Sequence, residues 1–136
     1  MNSKHRFFTL QNKARCGENY AKLYYEKLGY ILLVQNFRCL GSEIDLIFEK
    51  EKTLVFVEVK LRKQSMLKAG IDPCSLISHK KKKSLMTGAE SFLQKYEDLV
   101  YDAYYFDLCL LGYQYKNNFL KVVSMISYKD FLSRLE

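Results

Sequence analysis

Glu43-Ile44-Asp45-Leu46-Ile47-Phe48, followed after the polar run 49–53 by Leu54-Val55-Phe56-Val57-Glu58-Val59-Lys60, is the stretch that decides the fold. Both segments are short and rich in branched and aromatic residues, and the polar break between them makes the pattern of a β-hairpin. Side chains alternate along a strand, so Ile44, Leu46 and Phe48 should share one face, and Val55, Val57 and Val59 another. Registers that bring these two apolar sets together keep one face coherent, whereas a one-residue slip would set acids against valines. The coherent registers put Asp45 and Glu58 on the opposite face, with Glu43 and Lys60. With a tight turn at Glu51-Lys52, Asp45 lies directly across from Glu58.

Working outward, Ala14, Ala21, Tyr24 and Leu28 recur at helical spacing ahead of Gly29, which predicts a helix over 13–28 with a glycine cap. Residues 30–36 read as a mostly apolar strand, with a turn at Gly41 and Ser42. Residues 1–12 are basic, weakly patterned and expected to fray. After the hairpin, residues 61–78 read as a polar loop. Ser78 can cap a helix reaching about residue 96, with Leu85, Ala89, Phe92 and Leu93 as its buried stripe. Two further strands are predicted over 101–112 and 119–126. Ser127 and Asp130 resemble a capping box for a last helix through Phe131, Leu132 and Leu135. The expected fold is α/β (α+β): one domain with a mixed central β-sheet flanked by helices, and 54–61 as its central strand.

The 136 residues suffice for one compact domain, and eleven Tyr, nine Phe and a single Pro exclude a disordered basic tail. The net charge of +7 is local. Residues 60–83 hold eight basic side chains and one acid, which accounts for the whole excess, so a polyanion should meet one place on the surface. Cys16, Cys39, Cys74 and Cys109 lie far apart without zinc-type spacing, which argues for reduced thiols. With neither a signal-peptide core nor an apolar run of roughly 20 residues, the protein is expected in the cytoplasm, away from membranes.

A central strand has no natural place for charge unless it is paired, hydrogen-bonded or metal-bound, so Glu58 and Lys60 are informative. They project the same way, roughly 6.5 Å apart, with Asp45 within reach. Two hard oxygen ligands beside open solvent suit a Mg²⁺ ion that keeps waters for a substrate, and a neighbouring ammonium can orient a water or neutralise a phosphate. The ordinary alternative is a solvated cross-strand ion pair. An acid such as Glu18 early in a helix favours the helix dipole and needs no further role. Glu43 is expected to pair with Lys60. Four lysines, Lys80–Lys83, sit badly at a helix start that is already partly positive; an anion there relieves the conflict, and Lys81, one turn before Leu85, is best placed to meet it. The tyrosines Tyr24, Tyr25, Tyr104 and Tyr105 could stack bases, but packing is their commoner use.

The series Gly17-Glu18-x-x-Ala21, Gly29-Tyr30, Asn36-x-Arg38, Glu43-Ile44-Asp45-Leu46-Ile47 and Val55-Phe56-Val57-Glu58-Val59-Lys60-x-Arg62 resembles the YraN family, uncharacterised protein family 0102. That family is similar to the PD-(D/E)xK nuclease superfamily and to archaeal Holliday-junction resolvases. The resemblance implies a restriction-endonuclease-like αβββαβ core. It implies Asp45 and Glu58 as metal ligands, Lys60 as the catalytic lysine and Glu18 as the first-helix acid that completes the site. Two departures are Ser42, where the family usually has Gly, and an altered loop through Met66 to Gly70. The expected activity is Mg²⁺- or Mn²⁺-dependent endonuclease cleavage of DNA, branched or single-stranded DNA included. Arg38, Arg62, Lys63, Lys80 and Lys81 would grip phosphates, and cutting both strands would take a homodimer or two visits. The alternative is a nucleic-acid-binding module of the same fold that does not cut.

Overall fold

A computed structural model describes residues 10–132. The chain runs α1 (Leu10–Lys27), β1 (Ile31–Cys39), β2 (Ser42–Lys50), β3 (Thr53–Lys63), α2 (Gln64–Lys68), a 3-10 turn (Pro73–Leu76), α3 (His79–Lys95), β4 (Ala103–Lys116) and β5 (Phe119–Tyr128). The strands form one mixed sheet in the order β1-β2-β3-β4-β5, antiparallel except for β3 against β4. This is the α/β fold expected, with the order αβββαβ through β4 and with β3 at the centre.

The hairpin register is the one that the two-residue turn demands. Lys50 pairs with Thr53, Phe48 with Val55 and Leu46 with Val57, and Glu51 and Lys52 take positive φ of 49° and 63°. Leu54 to Val57 are all buried, because the strand is covered on both faces. Leu46, Phe48, Val55 and Val57 pack with Ala21 and Tyr25 of α1. Ile47, Leu54 and Phe56 pack with Leu85, Ala89 and Phe92 of α3, the stripe expected. Helix α1 ends as expected at Gly29 (φ 92°): the Tyr30 N–H donates to the Tyr25 carbonyl (3.1 Å) and the Gly29 N–H to that of Glu26 (3.0 Å). The Tyr25 and Tyr30 rings meet edge to face across this cap, 5.3 Å apart.

Several expectations are corrected. Ile44 does not share a face with Leu46 and Phe48; it packs in the α3 layer. The alternation breaks across Asp45, beside which β1 bends at Asn36 (φ 54°). The first turn is Leu40-Gly41, so Ser42 already belongs to β2. Residues 61–78 are not a plain loop, since β3 continues to Lys63 and α2 follows. Gly112 makes room for α2: a Cβ there would clash with Gln64 Oε1. Ser127 lies within β5, with its hydroxyl 3.3 Å from that of Tyr25, so it caps no helix; Phe131 and Leu132 are buried in a short helical turn, and Leu135 lies outside the described residues. Of the segment expected to fray, residues 10–12 begin α1, and 1–9 lie outside the described residues. Among the described residues no helix is long and apolar enough to cross a membrane.

Candidate active site

The regular β2–β3 pairing stops at Leu46 and Val57, one step short of the acids. Beyond it, the Val59 N–H, which an uninterrupted ladder would give to a β2 carbonyl, donates to Asp45 Oδ2 at 2.8 Å. The Asp45 carboxylate thus props the hairpin open. Glu58, only 5 % exposed, projects beside this gap. Its Oε1 takes two ammonium groups, Lys60 at 3.5 Å and Lys81 at 3.7 Å, and its Oε2 is buried without a hydrogen bond. An unsatisfied buried carboxylate oxygen is costly unless something else meets it.

The first helix brings the third acid. At Gly17, α1 lies so close to the sheet that a Cβ would touch Val59, Leu111 and Leu61 at 3.5 to 3.7 Å. The next residue, Glu18, is buried at the same cleft as Asp45 and Glu58. With its amide nitrogen turned inward, Asn36 donates to both Glu18 oxygens at 3.3 Å. The cleft measures about 320 Å³ and is also lined by Lys13, Lys60, Arg62 and Tyr113. Burial raises all three carboxyls above their ordinary range. For Glu18 the Asp45 charge adds to burial, with the Gln35 and Asn36 amides opposing; for Asp45 burial is opposed first by the Val59 N–H and then by Lys81. Glu58 is pushed up to about 7, by burial and then by Asp45, against the pull of Lys81 and Lys60. Three acids pressed toward neutrality describe a place that favours a proton or a cation.

Glu18, Asp45, Glu58 and Lys60 are therefore brought together as expected, with Arg62 at the wall. Lys81 goes further than its expected phosphate-binding place: α3 packs against β2 at Gly88, and two turns earlier the same face delivers Lys81 to Glu58 and to the Glu43 carbonyl (3.5 Å). Ser78 caps that helix by accepting from the Lys81 N–H. Lys63 and Lys80 are exposed and do not line the cleft. Glu43 pairs with Arg38 (3.5 Å) and not with Lys60, which Glu58 holds instead; Arg38 lines an adjoining cleft that shares Glu18. Asn36 and Gln35 were given no role by the sequence. A residue type that tolerates left-handed backbone inside an apolar strand was the available signal for Asn36. Among the described residues, no three His, Cys, Asp or Glu side chains gather as a ready metal cage.

A second cleft of about 390 Å³ opens at the other end of the sheet, beside Tyr30, Lys50, Tyr105, Asp107 and Lys129. Its buried acid is fully engaged. Asp107 accepts from the Tyr25 hydroxyl (2.8 Å), Lys129 (3.0 Å) and the Asp130 N–H (3.1 Å). That network ties α1 to β4 and to the end of β5. Tyr25 is thus core, as the commoner use of tyrosine suggests, whereas Tyr104 and Tyr105 are exposed.

Fold and cleft together define an α/β protein whose central hairpin carries an acid and lysine cluster at a splayed end. The model of the family described as "Uncharacterised protein family UPF0102" matches residues 17–111, and the chain belongs to that family. It is 39% identical over 113 residues to a UPF0102 protein of Caldicellulosiruptor bescii, covering 83% of this chain and 92% of the relative. It is 38% identical over 86 residues to one of Janthinobacterium sp. (63% and 68%), and 33% identical over 109 residues to one of Synechococcus sp. (76% and 77%).

Proposed function

We propose that this protein is a Mg²⁺- or Mn²⁺-dependent DNA endonuclease with Glu58, Asp45, Lys60 and Glu18 as its working residues. The observation that carries this reading is the buried, unbonded Oε2 of Glu58 at the cleft shared with Asp45, an oxygen that a hard cation would satisfy. Asp45 and Glu58 would hold the ion, which would take the rest of its shell from water and phosphate oxygens. When bound, such an ion supplies a Lewis acid and a water of lowered pKa. Lys60, which reaches Glu58 at 3.5 Å, would orient that water or stabilise charge building on the phosphate. Lys81, which reaches the same oxygen at 3.7 Å, would add a second ammonium to meet a phosphate at the cleft. Glu18, held by Asn36, would complete the hold on the ion or fix a water beside it.

The αβββαβ order and the resemblance of the Glu-Ile-Asp and Val-Glu-Val-Lys motifs to PD-(D/E)xK nucleases support the same reading. With one such cleft among the described residues, cutting both strands calls for a homodimer or two visits. The absence of a ready three-ligand cage among the described residues favours a second reading, a module that binds nucleic acid without cutting it. Supercoiled, linear and four-way-junction DNA incubated with Mg²⁺ or Mn²⁺ beside the Glu58→Ala variant separates them. Cleavage that disappears in the variant is the expected result. Cleavage that persists unchanged places the chemistry elsewhere, and binding without cleavage establishes the second reading.

A further inference from the structure

The β4–β5 hairpin is longer than the sheet that supports it. Strand β3 ends at Lys63, opposite Tyr113, while the pairs Gln114↔Lys121, Tyr115↔Leu120 and Lys116↔Phe119 run on to a tip at Asn117-Asn118. The tip residues take φ of 50° and 69°, the left-handed pair of a tight hairpin turn. Residues 114–117 are exposed along both faces of this arm.

The two faces differ in chemistry. Register and alternation put Tyr113 and Tyr115 on one face, their rings edge to face at 5.8 Å. Lys13 of α1 stands 5.4 Å from the first ring and 5.8 Å from the second. Tyr113 and Lys13 also line the cleft of Glu58, so Tyr115, 36% exposed, lies one step outward from it. The other face holds Lys116, Lys121 and Phe119, the last 55% exposed. From Tyr113 to Lys121 the arm contains two lysines and no acid.

Exposed rings set among lysines suit a nucleic acid that offers bases as well as phosphates. Rings stack on bases, and the bases within a duplex already cover one another, so an aromatic side chain engages a base that is unpaired. We propose that the projecting arm receives an unpaired nucleobase on Tyr115, so that DNA carrying a single-stranded arm beside the cleft is preferred over plain duplex. Phe119, on the reverse face, backs a second unpaired base, and Lys116 and Lys121 hold the phosphates of the strand there. The proposal rests on the nucleic-acid reading of the cleft and specifies its substrate.

Fluorescence anisotropy in chelator tests it without cleavage. A labelled blunt duplex is compared with the same duplex bearing an unpaired arm, for the wild type, for Tyr115→Ala with Phe119→Ala, and for Tyr115→Phe. The wild type should bind the armed duplex about tenfold more tightly than the blunt one. The double alanine variant should lose that preference while keeping the blunt-duplex affinity, and Tyr115→Phe, which keeps the ring, should retain the preference. Equal wild-type affinity for both DNAs overturns the proposal and leaves nucleic-acid binding standing. So does a preference that survives the double variant. Failure to bind either DNA overturns the nucleic-acid reading itself.

Discussion

Glu58 and Asp107 are acids on adjoining strands, 5 % and 2 % exposed, and they resolve the same physical problem in opposite ways. Asp107 faces α1 and meets three donors, so nothing about it calls for a further partner. Glu58 meets two lysines on one oxygen and nothing on the other. Burying a carboxylate is tolerable when its lone pairs are filled, and the role proposed for Glu58 rests on this difference. A cleft of comparable volume lies beside each of the two acids, so volume does not distinguish them and the bonding of the carboxylate does.

The comparison breaks most visibly in stability. Asp107→Ala removes the acceptor for three donors and should cost about 3–5 kcal/mol in chemical denaturation. Glu58→Gln at alkaline pH should cost nothing and raise stability by up to about 3 kcal/mol, because it removes the buried charge that the wild type must carry there. A similar loss in both variants would erase the distinction.

The pH dependence of the metal-free protein comes next. Glu58 titrates near 7 when folded and near its ordinary 4.5 when unfolded, so its contribution to stability is complete below about 4.5 and is lost as pH rises to about 7. Unfolding free energy should fall over that window by up to about 3 kcal/mol, and Glu58→Gln should flatten the slope. An unchanged slope in the variant would assign the protons to other groups.

Asn36 sharpens the contrast at a smaller scale. Asn36→Gly keeps the left-handed backbone but removes the amide from Glu18, and Mn²⁺ affinity should drop about tenfold with thermal stability nearly intact. The smallest effect belongs to the Arg38–Glu43 pair, whose side chains are 75% and 40% exposed. Breaking it should cost less than about 1 kcal/mol, and less again at high salt.

What the sequence made legible was set by period and turn length. Val55 and Val57 against Leu46 and Phe48 left one coherent register, and a two-residue turn at Glu51-Lys52 followed, which already aimed Asp45 at Glu58. The glycine cap at Gly29, the Ser78 cap and the α3 stripe rest on equally local rules. The switch of face at Ile44 was not legible, because strict alternation cannot anticipate a strand that bends at Asp45 opposite Asn36. The pairing of Glu43 was misread for a related reason: which cation an acid meets depends on the β1 register, and Arg38↔Glu43 follows from the Leu40-Gly41 turn. Lys81 reached the site through the packing of Gly88 on β2, a tertiary contact that helical spacing only hinted at. The Asp107 network, built from α1, β4 and the end of β5, left no local pattern at all.

The proposed role of the cleft requires a cation at the buried, unbonded oxygen of Glu58. Isothermal titration of Mn²⁺ into the wild type and into Glu58→Gln, at a pH above 7 where the wild-type carboxyl is ionised, tests it most directly. Saturable binding in the wild type that disappears in the variant, with the fold retained by circular dichroism, is the expected result. Equal Mn²⁺ affinity in the two proteins would contradict it.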